Sequence, residues 1–168
     1  MISKKVEQAI NEQINKELYS EYFYLAMASY FSSEGLSGFE NFFLVQVEEE
    51  RFHMMKMYKF INEKGGRVNL KKIDAPRNEF KSPTEVFELA FKHEQFVTKS
   101  INELMDIAIA ENDHATKSFL NWFVDEQVEE EDSMSTILQK LRMINGEGYG
   151  MIMLDKELSI RVFTPPVK

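Results

Sequence analysis

Apolar side chains recur three and four positions apart along four long stretches of this chain, and each stretch is interrupted near its middle by polar residues. In the first, positions seven apart read Ile10, Glu17, Tyr24, Phe31; in the second the row is Leu36, Phe39, Phe43, Gln46, Glu50, His53, Met57, Phe60. The third row is Phe87, Ala90, Glu94, Val97, Ile101, Leu104, Ala108, and the fourth is Leu120, Phe123, Gln127, Glu130, Met134, Ile137, Leu141, Ile144. Side chains so spaced share one face of a helix, and a face this apolar must be turned to a core. The pattern predicts an all-α protein.

Local signals set the boundaries. Ser3 is a suitable N-cap for a first helix running to about Ser33, with Gly35 as its stop. A second helix from about Leu36 to Lys64 is closed by Gly65 and Gly66, and the short turn between the two makes them antiparallel neighbours. The stretch 65–82 has no helical period, contains Pro76, and reaches about 55 Å when extended, enough to cross a bundle lengthwise. Ser82-Pro83-Thr84-Glu85 then starts a third helix that runs to about Glu111. Asn112 and Asp113 break and recap the chain before a fourth helix, which ends near Ile144. Asn145–Gly150 is a turn cluster, 151–158 a short fifth helix, and 164–168 a loose tail. The expected architecture is a single domain over 1–168. It is an antiparallel four-helix bundle (about 3–144) with one long crossover between helices two and three, plus the C-terminal fifth helix.

Composition narrows the function. Of 168 residues 43% are apolar, sufficient for one sizeable core, while a net charge of -8 argues against nucleic acid as a partner. The absence of cysteine excludes disulfides, thiolate metal sites and iron–sulfur clusters. No apolar run reaches the roughly 18 residues of a membrane span, and the first residues lack the apolar block of a signal peptide. A cytoplasmic location is expected.

The interruptions lie at one depth. Each long helix spans about 45 Å, and Glu17 and Glu50 are about equally far from the first turn, as Glu94 and Glu130 are from the second. Four carboxylates, the His53 imidazole and the Gln127 amide therefore converge in mid-bundle, and the four rows contain no Lys or Arg to balance them. Carboxylates this close cannot all ionise unless a cation sits among them. Oxygen-rich ligation with one imidazole and no sulfur suits divalent iron or manganese, although zinc and copper would also bind by affinity order.

The segments that carry these residues, NEQINKELYSEY, VEEERFH, KHEQFVTKSINEL and FLNWFVDEQVEEE, together with the late GEGYGMIMLDKEL, resemble the non-haem bacterial ferritins over nearly the whole chain. The resemblance implies that Glu17, Glu50 and His53 bind one iron, and that Glu94 and Glu130 bind a second with Glu50 bridging and Gln127 close by. It implies a third, weaker iron position at Glu49, Glu126, Glu129 and Glu130. It also implies a homo-oligomeric hollow shell of roughly two dozen subunits, in which Fe(II) is oxidised by oxygen or peroxide and stored as an Fe(III) mineral.

Departures from neighbouring families refine this expectation. Bacterioferritins and rubrerythrins carry a second Glu-x-x-His on helix four, where this chain has Gln127-x-x-Glu130, so the second metal should be held more weakly. Arg51 stands where bacterioferritins place a haem-binding methionine, and no haem is expected. A rubrerythrin-type di-iron oxidase or peroxidase without storage is the alternative reading, but it needs a second histidine ligand and usually a cysteine-rich module, both missing here. Tyr24, one layer from the metals, is placed to donate a hydrogen bond or an electron, and Trp122 is read as packing first. Lys117 and Leu120 stand where animal ferritins line a pore with acids. His93 and His114 fall off the rows and are expected at the surface.

Overall fold

In the computed structural model, which describes residues 1–166, the chain forms α1 (Lys4–Ser33), α2 (Ser37–Glu63), α3 (Pro83–Ala110), α4 (His114–Met143) and α5 (Gly148–Leu158). The helices pair α1 with α2 and α3 with α4, α1 also packs on α3, and α5 packs on α2. The predicted bundle and its crossover are both present. The expected loose tail begins at Thr164, and its last two positions, 167 and 168, lie outside the described residues.

The starts of the helices follow the chemistry of orphan backbone N–H groups. Ser3, Ser82 and Asp113 cap α1, α3 and α4 by accepting from the N–H groups of Val6, Glu85 and Thr116 (3.3, 3.1 and 3.0 Å). Helix α2 begins after Leu36, whose side chain caps nothing, and its first N–H groups are satisfied from a distance. Asp155 of α5 accepts from Gly38 and Phe39 through Oδ1 (2.8 and 3.0 Å). Gly38 permits this approach, since a Cβ there would lie 1.6 Å from the Asp155 carbonyl oxygen. Helix α5 starts at Gly148, three residues before the expected 151. The turn takes in Ile144, Asn145 and Gly146, with Asn145, Gly146 and the first helical residue Gly148 at positive φ, and Gly150 lies inside the helix where a Cβ would come within 2.7 Å of Ile144.

The crossover is held down by a polar ladder on the outer face of α1. Glu7, Asn11 and Asn15, four apart, accept from the N–H groups of Arg67, Asn69 and Lys71 (2.9, 2.6 and 2.8 Å), and Asn11 and Asn15 donate back to the Arg67 and Asn69 carbonyls.

The core is divided into two apolar clusters. One gathers Phe23–Phe31 of α1, Phe39–Phe43 of α2, Val86–Ala90 of α3 and Met134–Leu141 of α4, with Phe80 and α5; the other gathers Val6–Ile14, Met57–Ile61, Val97–Ala108 and Leu120–Phe123. Each fully buried Phe or Ile contributes about 1.5–3 kcal/mol. Between the clusters, at the level of residues 17, 46–53, 94 and 127–130, the buried side chains are polar.

Candidate metal centre

The interruptions of the four rows meet as the spacing requires. Glu17 comes from the middle of α1, Glu50 and His53 from α2, Glu94 from α3, and Gln127 and Glu130 from α4, all 5% exposed or less. Glu17, Glu50 and His53 each present one ligand atom within 4.8 Å of the other two. The Glu50–His53 pair is the i, i+3 spacing at work, with His53 Nδ1 3.6 Å from Glu50 Oε2.

Glu94 and Glu130 reach the same level from the opposite helix pair, each tied to neutral donors. The Tyr24 hydroxyl donates to Glu94 Oε1, and Gln127 Nε2 donates to Glu94 Oε2 (3.1 Å) and to Thr98 Oγ1 (3.2 Å). Gln46 Nε2 donates to Glu130 Oε2 (2.9 Å). Burial drives Glu50 well above the ordinary carboxylate range, and Glu94, Glu17 and Glu130 push it further. Burial and then Glu130 raise Glu94, against the donors Tyr24 and Gln127. Burial, followed by the fields of Glu94 and Glu50, holds the Tyr24 phenol in its neutral form, able to donate.

Among the described residues, three buried side-chain oxygens have no donor: Glu17 Oε2, Glu50 Oε2 and Gln46 Oε1. Leaving such groups unmet costs about 1–3 kcal/mol each. A divalent cation between Glu17, Glu50 and His53 satisfies two of the three and relieves the repulsion among the carboxylates, so the donor set fits an oxygen-preferring metal with one imidazole ligand.

Gln13 was not legible as part of the site, yet it fixes one ligand. It is 1% exposed, donates Nε2 to Glu17 Oε1 (2.8 Å), and accepts the Ser100 hydroxyl on its own oxygen (2.5 Å). Lys16 in turn donates to Ser100. A glutamine on α1 is indistinguishable by sequence from a surface residue, because its partner Ser100 lies on another helix.

The outer acidic residues are arranged more loosely. Glu49 and Glu126 are half-buried and Glu129 is exposed. Glu49 is raised to about 7 by burial and by Glu130, despite an ion pair with Arg161, and burial also raises Glu126, beside Glu129 and Glu130. His114 is exposed, but His93 is not the surface residue expected. It hydrogen-bonds Ser20 (2.8 Å), packs among Tyr19, Phe23 and Tyr24, and is pushed down to about 4 by burial. The row pattern missed it because α1, rather than the bundle axis, covers it. Trp122 packs edge-on against His53 and Phe123, while Leu120 is a core residue and Lys117 is exposed. Arg51 is exposed and pairs with Glu21 (2.8 Å).

Residues 7–144 match the family described as Ferritin-like domain. Over 163 residues the chain is 41% identical to the bacterial non-heme ferritin of Staphylococcus aureus (strain USA300), covering 97% of this chain and 98% of the relative. It is 42% identical, with the same coverage, to the bacterial non-heme ferritin of Staphylococcus haemolyticus (strain JCSC1435). Among solved structures, a closed form of the Archaeoglobus fulgidus ferritin engineered by site-directed mutagenesis matches with a TM-score of 0.96 and 51% identity, covering 98% of this chain and 100% of that one. The open pore ferritin of the same archaeon matches with a TM-score of 0.94 and 51% identity, over 96% and 99% of the two chains.

Proposed function

The chain belongs to the ferritin family and is an iron-storage protein; from that premise we propose that its buried polar level is a ferroxidase centre, where Fe(II) is oxidised before storage. The observation that carries this reading is the convergence of Glu17, Glu50 and His53 within 4.8 Å, with unmet carboxylate oxygens and with Glu94 and Glu130 close enough to raise Glu50. In this reading Fe(II) is the substrate. Glu17, Glu50 and His53 hold one ion, Glu94 and Glu130 hold a second with Glu50 between them, and Gln127 orients Glu94. Two ions held side by side yield two electrons to one oxygen molecule, which leaves as hydrogen peroxide, or to one peroxide molecule, which leaves as water. The Fe(III) formed hydrolyses and releases protons, and Glu49, Glu126 and Glu129 receive it on the way to storage.

The protein's own contributions are separable. Neutral donors (Tyr24, Gln127, Gln46 and Gln13) fix the carboxylates without adding positive charge, so the site keeps its attraction for cations. Glu50 and Glu94, raised above the ordinary carboxylate range, exchange protons for metal, which couples binding to proton release. In this reading Tyr24, hydrogen-bonded to Glu94 and packed against Phe43, also supplies an electron. We further read the whole chain as one domain, acting in the cytoplasm as one subunit of a hollow homo-oligomer of roughly two dozen copies.

Anaerobic titration with Fe(II), then stopped-flow oxidation at two ions per subunit and light scattering of the loaded protein, tests the reading. It expects a tighter and a weaker ion, a rapid oxidation phase that saturates at two per subunit, and a large particle that retains iron. Equal, tight occupancy of both positions in protein purified without added iron overturns it, because a permanent di-iron cofactor would then be present.

A further inference from the structure

The segment after α5 returns along α2 and delivers a cation to the outer acidic residues. Arg161 Nη2 lies 2.7 Å from Glu49 Oε2, its Nη1 donates to the Phe42 carbonyl (3.3 Å), and its guanidinium sits 4.4 Å from the centre of the Phe42 ring. The backbone around it is clamped, since Asn41 Nδ2 donates toward the carbonyls of Leu158 (3.1 Å), Ser159 (3.4 Å) and Arg161 (2.9 Å). Two residues on, Phe163 packs against half-buried Phe52, three residues after Glu49 on α2. This is a pre-organised pair, unlike the exposed Lys–Glu contacts elsewhere on the surface, because stacking and a carbonyl hold the guanidinium, and an asparagine holds its backbone, before Glu49 is counted. The charges of Glu130 and Glu126 act on Glu49, so the guanidinium is received beside an acidic cluster outside the inner centre.

We propose that Arg161 is a built-in competitor for the third iron: its guanidinium occupies the coordinating edge of Glu49, weakens cation binding there, and so sets the outer position as a point of passage rather than of retention. The proposal rests on the ferroxidase reading above. An arriving ion must displace the fork from Glu49 Oε2, at the expense of one charge-assisted contact in a half-buried setting. Both groups remain about one quarter exposed (26% and 23%), so the exchange needs no opening of the core. The contact links positions 112 apart in sequence, and no motif announces it.

The test uses the assembled protein and Fe(II) under argon. Binding is followed beyond two ions per subunit in the parent, Arg161→Gln and Arg161→Lys, and light scattering checks that all three assemble. With the competing charge removed, Arg161→Gln should bind the third ion about tenfold more tightly, the scale of one nearby charge at a half-buried site. Arg161→Lys, which keeps the charge but loses the stacked fork, should fall between the parent and Arg161→Gln. In Arg161→Gln combined with Glu49→Gln the gain should vanish. A third-ion affinity unchanged in Arg161→Gln overturns the proposal, as does a gain that survives in the double variant or the lack of any third ion in every protein. Failure of the first two ions to bind in the parent would count against the ferroxidase reading instead.

Discussion

Gln13 and Glu17 lie one turn apart on α1, and the Gln13 amide donates to Glu17 Oε1 at 2.8 Å while Glu17 Oε2 is left without a partner. Lys16 donates to Ser100, whose hydroxyl donates to the Gln13 carbonyl, and the Gln13 amide N–H is left to face the glutamate. The free oxygen of Glu17 is therefore aimed, and Gln13 is a positioning residue. Gln13→Leu should fold and assemble but bind the first Fe(II) about 10- to 100-fold more weakly, the range seen when partners of metal ligands are removed. Anaerobic titration by magnetic circular dichroism reads this through both affinity and ligand-field bands, which a purely structural role for Gln13 would leave in place.

Glu130 joins the inner centre to the outer acids, and Gln46 donates to its Oε2. Glu130→Gln keeps the volume and still accepts from Gln46, yet removes a charge from a cluster that is over-negative without metal. The metal-free protein should melt at the same temperature or higher, while rapid oxidation of two irons per subunit should fall at least about tenfold. Melting curves and stopped-flow absorbance measure the two. A drop in stability with unaltered oxidation would make Glu130 a structural residue.

Asp113 carries the expected pH dependence. Its own burial pushes the carboxyl up, but the N–H and hydroxyl of Thr116 and the ammonium of Lys64 outweigh this and hold it below its ordinary 3.8. A depressed folded value means that the stabilisation is complete above 3.8 and is lost as pH falls through the lower, folded value. Asp113→Ala should cost about 1 kcal/mol near neutrality, as loss of an N-cap does. The gap between the two proteins in urea titrations should close as the solution is acidified below that range.

Gly38→Ala separates local propensity from packing. Within α2 alone, alanine should help by up to about 1 kcal/mol. The Cβ, however, would meet the Asp155 carbonyl at 1.6 Å, so α5 must move off α2. We expect circular dichroism to show an intact bundle and light scattering to show a defect in the large assembly. Removal of the chain after Asn145 should behave alike.

The sequence made the bundle legible because each helix had to show its periodicity locally, and the interruptions at Glu17, Glu50, Glu94 and Glu130 stood out against apolar neighbours. What it hid were pairings between distant segments. Asp155 capping α2, Ser100 orienting Gln13 and Arg161 pairing with Glu49 each need the fold before the partner is visible. His93 was misplaced for the same reason, since periodicity about the bundle axis says nothing of a side chain wedged between two adjacent helices.

The division of the core also shapes how the bundle breathes. Two greasy ends are joined through a waist whose groups repel one another when no cation is present, so amide protons flanking Glu50 and Glu94 should exchange with solvent faster in metal-free protein than those in either end. A bound cation acts there as a rivet. Deuterium uptake should slow at the waist first and most as Fe(II) is added anaerobically, with the Phe-rich end beside α5 nearly indifferent.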